Sequence, residues 1–87
     1  MLTLTEAAGA RLAYLLDEAE APEDVAVRIV LEGRNLALKL DGARPDDATF
    51  AHEGRTVLLL DQKVSQLLAD DTLDVEDTDD GPKLALL

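Results

Sequence analysis

The chain has 87 residues and a net charge of −11, from 19 acidic against 8 basic side chains. It contains no cysteine, so these residues offer no disulfide, no thiolate nucleophile and no thiolate metal ligand. One Tyr, one Phe and no Trp leave no platform for stacking bases or sugars, while the negative field repels phosphate backbones and anionic lipid heads. Nucleic acid and membrane surfaces are therefore set aside as partners; the acidity reads first as a solubility device, with a basic protein partner or a loosely held cation as the alternatives. The length fits a single domain, residues 1–87. No apolar run is long enough to span a bilayer, and the N-terminus lacks the basic flank and apolar core of a signal peptide, which leads us to expect a cytoplasmic protein.

Met1 to Glu6 alternates and then offers a helix start. Thr5 is a good N-cap, and Thr3 with Glu6 is the competing capping box one step earlier. Ala8, Leu12, Leu15, Leu16 and Ala19 then line one face of an amphipathic helix of about four turns, which closes before Pro22. Val25 to Glu32 alternates as a strand, with Val25, Val27, Ile29 and Leu31 on one face and Arg28 and Glu32 turned to water. After a turn at Gly33, Leu36, Leu38 and Leu40 resume the alternation, so the pair reads as a hairpin with one oily face. Asp41 to Asp47 is rich in turn residues and reads as a loop.

A short strand near Ala48 to Ala51 reverses at Glu53-Gly54 into the most apolar stretch, Val57 to Leu60, which suits a strand covered on both faces. Asp61 caps a second helix that places Val64, Leu67 and Leu68 on one side. Leu73 to Glu76 alternates again, Asp77 to Pro82 is the strongest turn, and Lys83 to Leu87 reads as a last strand. The order β-α-β-β-β-β-α-β-β points to an α+β fold, a small mixed β-sheet with two helices packed on it.

Catalytic signals are few. His52, the only imidazole, stands beside the Glu53-Gly54 turn, and strand geometry sends the adjacent Glu53 to the opposite face, so a solvated hairpin histidine is expected. Ser65, the lone serine, sits in a helix with no nucleophile elbow around it. No Gly-rich phosphate loop can be assembled. No catalytic residue and no cofactor are expected. Asp77, Asp79 and Asp80, with Gly81, give a fragment of a calcium loop that lacks its closing acid. The short apolar segment with Leu84, Leu86 and Leu87 reads either as a paired edge strand or as a contact for a dimer or another protein.

Leu2 to Ala8, Val25 to Ile29, Pro45 to Phe50 and, above all, Gly54 to Asp61 continuing through Leu67-Leu68 to Asp71-Thr72-Leu73-Asp74 together resemble the HesB/IscA-type family, the A-type iron–sulfur cluster carriers. The resemblance covers nearly all of the chain and implies the HesB-like fold, together with a tendency to form dimers and higher oligomers. It also implies three cluster-ligating cysteines, none of which is here. Arg34-Asn35 stands where the family's first cysteine follows its strand, and no Cys-x-Cys follows Gly81-Pro82-Lys83-Leu84. Clusters are held by thiolates, and Arg, Asn or Asp are poor substitutes. The resemblance therefore implies a degenerate, non-catalytic member: a protein-binding or regulatory accessory linked to iron–sulfur cluster assembly. The alternative is a metal-ion binder using carboxylates between Asp74 and Asp80, with His52 as an added donor.

Overall fold

A computed structural model describes all 87 residues. The elements run β1 (Thr3–Leu4), α1 (Glu6–Glu18), β2 (Val25–Glu32), β3 (Asn35–Gly42), β4 (Ala48–His52), β5 (Arg55–Leu60), α2 (Gln62–Leu67), β6 (Thr72–Thr78) and β7 (Gly81–Leu86). This is the expected α+β order, with the strands divided between two mixed sheets. One has the order β3-β2-β5-β4 and the other β1-β6-β7. The parallel pairs are β2 with β5 and β1 with β6; the rest are antiparallel hairpins.

The central strand is β5. Val57, Leu58, Leu59 and Leu60 are all fully buried, as an unbroken apolar run between covered faces requires. In-register pairing puts Val27 beside Leu58 and Arg28 beside Leu59, so the two faces of this sheet can be told apart. The face carrying Val27, Ile29, Leu58 and Leu60 packs with Leu12 and Leu16 of α1 in one core, joined by Phe50, Val64, Leu68 and Leu73. Burying a leucine in such a core stabilises by about 1.5–3 kcal/mol.

Both helices begin at their expected caps. The Thr5 hydroxyl accepts from the Ala8 amide at 3.1 Å, and an Asp61 carboxylate oxygen accepts from the Val64 amide at 2.8 Å. Thr5 also donates to Asp74 at 2.8 Å, which ties the start of α1 to β6. That bond, followed by one from the Val75 amide, holds the Asp74 carboxyl below its ordinary range.

Three expectations need correction. Arg28 does not face water: it is 2% exposed, because the Asp41–Asp47 segment folds over its side of the sheet. Leu36, Leu38 and Leu40 do sit on the oily face, paired with Leu31, Ile29 and Val27. They stay exposed (38%, 50% and 48%) because β3 is an edge strand that α1 leaves half uncovered. Leu67 ends the short α2 and is exposed, while Val64 and Leu68 are buried.

Candidate functional site

Three features carry chemistry or contact surface. The first is a polar cluster on the covered side of β2. The Arg28 guanidinium donates from Nε to Asp41 at 2.9 Å and from Nη1 to Asp47 at 2.9 Å, and a second Nη2 bond to Asp47 makes that pair bidentate. Nη2 also reaches the Gly42 carbonyl at 3.2 Å. The Asp47 side chain is only 3% exposed and accepts from the Arg44 amide at 2.7 Å. Bonding to Arg28 holds the Asp47 carboxyl below its ordinary value, against the opposing effect of burial, and bonding to Asp47 raises Arg28 further. Asp41 is lowered chiefly by the Gly42 amide, with help from Arg28 and Arg44. Every charge is matched, so the cluster is a clamp that closes the β3–β4 connection over the sheet. No nucleophile stands in it.

The second feature is an apolar groove of about 230 Å³ between the two sheets. Leu36 and Leu38 of β3 form one wall, Leu84 and Leu86 of β7 the other, and Leu12, Ile29, Leu58 and Leu73 the floor. Two of the three leucines singled out from the C-terminal strand thus line it, while Leu87 lies beyond β7 and is 72% exposed. The leucines of β3 belong to the same surface; their alternation was visible in sequence, their exposure was not.

The third lies where α1 begins. His52 is half-buried, and its potential ligand nitrogen lies with carboxylate oxygens of Glu6 and Glu53 in a group whose members are all within 4.8 Å of one another. The expectation that Glu53 turns away from His52 is overturned. Glu53 and Gly54 both take positive φ, 51° and 82°, in a two-residue hairpin turn, so strand alternation ends at His52. His52 therefore keeps company with Glu6 and Glu53. Asp77, Asp79 and Asp80 stand on the β6–β7 hairpin, where Asp80 approaches Lys83 at 3.7 Å. Ser65 lies in α2, its amide bonded to the Asp61 carbonyl.

No family model matches this sequence, and no curated protein matches it either. Solved structures do. Escherichia coli SufA, described as involved in biosynthesis of iron–sulfur clusters, superposes with a TM-score of 0.71 at 24% identity, over 99% of this chain and 83% of that one. The fold is that of the A-type carriers. IscA, solved with a [2Fe-2S] cluster, superposes with a TM-score of 0.68 at 17% identity, over the whole of this chain and 84% of that one. Within this HesB/IscA-like fold the present 87 residues bring no thiolate. The β2–β3 turn offers only the exposed Gly33 and Arg34, a backbone and a cation, and these do not fit an iron–sulfur cluster.

Proposed function

We propose that this chain is a non-catalytic accessory domain that binds protein partners of the iron–sulfur assembly machinery without ligating a cluster through its own side chains. The observation that carries the reading is a carrier fold matched along its whole length in a sequence with no thiol. The leucine-lined groove supplies the contact surface. Its occupant, on this reading, is an apolar segment of a basic protein: the groove is lined by leucine and isoleucine alone, and the domain around it carries −11. Self-association into a homodimer through the same leucines is the competing occupancy.

Three measurements test this. Anaerobic reconstitution with iron and sulfide should leave the protein colourless; a stable charge-transfer absorbance overturns the reading. The domain used as bait should capture sulfur-mobilising or cluster-scaffold proteins, and Leu38→Asp, at a half-exposed position, should abolish that capture while the domain stays folded. Recovery of unrelated proteins alone contradicts the link to assembly, and a dimer mass in light scattering that Leu38→Asp reduces to a monomer assigns the groove to a second copy.

A further inference from the structure

We propose that Glu6, His52 and Glu53 form a binding site for one divalent transition-metal ion, of the kind that imidazole and carboxylate ligands share, where α1 meets the β4–β5 hairpin. The three donors come from different local structures. Glu6 is the first residue of α1, His52 the last of β4 and Glu53 the first residue of the turn. Nothing in their sequence spacing requires them to converge, yet their ligand atoms lie within 4.8 Å of one another.

Two backbone features produce the convergence. Residues adjacent in a strand point to opposite faces, but the left-handed conformation of Glu53 (φ 51°) brings its carboxylate round to the side of His52. A side chain seldom adopts that conformation; Asn, Asp and Gly are the usual occupants of such a turn. On the facing helix, Gly9 makes room for the imidazole. A Cβ at Gly9 would lie 2.8 Å from His52 Nδ1, closer than a carbon can approach. Glycine weakens a helix interior, and here it stands where the ring docks. Glu6 is three residues before Gly9, one turn back on the same side of α1, so its carboxylate meets the seated ring.

Charge points the same way. No arginine or lysine pairs with Glu6 or Glu53, and neither carboxylate forms an ion pair with His52. Arg55, opposite His52 across the hairpin, is turned to Asp17 at 3.0 Å and to the Ala21 carbonyl at 3.3 Å. Two carboxylates and an imidazole therefore face one another with no protein cation among them, and two negative charges balance a divalent ion. One nitrogen and two oxygen donors suit zinc, manganese or ferrous iron rather than the all-oxygen shell of calcium. Metal–ligand distances of about 2.0–2.2 Å place neighbouring donors about 3–3.5 Å apart, so rotation of the two exposed glutamates closes the set. Three protein donors leave coordination positions open to water or to a donor from another molecule.

The site does not depend on the groove or on any partner, and its test is separate. The purified, metal-free chain is titrated calorimetrically with zinc and with manganese(II), and manganese(II) broadening is mapped by amide NMR. We expect one ion per chain, broadening centred on residues 5–9 and 52–55, and affinity lowered at least about tenfold by Glu6→Gln and by Glu53→Gln. Both side chains are exposed, so the metal-free variants should melt with the parent. Absence of binding overturns the proposal, as does affinity unchanged in both variants. Broadening centred on Asp77 to Asp80 overturns it too, and returns cation binding to the C-terminal hairpin.

Discussion

The hairpin of β2 and β3 has two sides, and each inverts what residue type alone would suggest. On one, a guanidinium is buried at 2% exposure; on the other, Leu38 and Leu40 stand about half in water. The difference lies in what each side is packed against. Arg28 sits on an interior strand of the four-stranded sheet, under a connection that brings Asp41 and Asp47 across it. The leucines sit on the outer strand, where α1 covers them only in part. Position in the sheet, more than side-chain type, decides burial here.

The sharpest way to break the contrast is at its polar side. Asp47→Ala leaves Arg28 buried without its bidentate partner, and should cost about 3–5 kcal/mol in urea unfolding. A cost below about 1 kcal/mol would show that the clamp is as wet as an ordinary surface pair. Acid should loosen the same clamp. Asp41 and Asp47 are held below the ordinary 3.8 in the folded state, so their contribution is complete above that value and is lost as pH falls through the lower folded values. Arg28, raised from a value already high, stays charged throughout. Stability should therefore be flat from pH 7 to about 5 and fall below 4, and Asp47→Ala should flatten that fall. The smallest effect belongs to the oily side. Leu38→Thr should change stability by no more than about 0.5 kcal/mol, whereas a buried leucine such as Leu58, cut to alanine, should cost about 2–5 kcal/mol.

Much of this architecture was legible in the sequence. The Val57–Leu60 run, the caps at Thr5 and Asp61 and the β2–β3 alternation are local signals, and each element formed where its signal lay. Arg28 was misread because its partners lie 13 and 19 residues along the chain, where period-two patterning carries no information. Leu36, Leu38 and Leu40 were placed on the correct face, but which strand is outermost is a property of the sheet order. The grouping of Glu6, His52 and Glu53 was hidden by one torsion: Glu53 was placed in the turn, but its side chain was aimed by strand alternation, which its positive φ breaks. Glu53-Gly54 carried a signal for this, since two residues between paired strands demand a turn with positive φ.

The pairing of Thr3 and Leu4 with Thr72 and Leu73 has a consequence for biosynthesis. A ribosome delivers β1 and α1 first, yet the strand that tethers them appears some seventy positions later, and the hydroxyl of Thr5 waits as long for Asp74. Until β6 emerges, the nascent chain can seat α1 on β2 and β5 but lacks its link to β6. Closure of this domain therefore waits for β6, and a message truncated before β6 should yield a product that aggregates rather than a smaller domain.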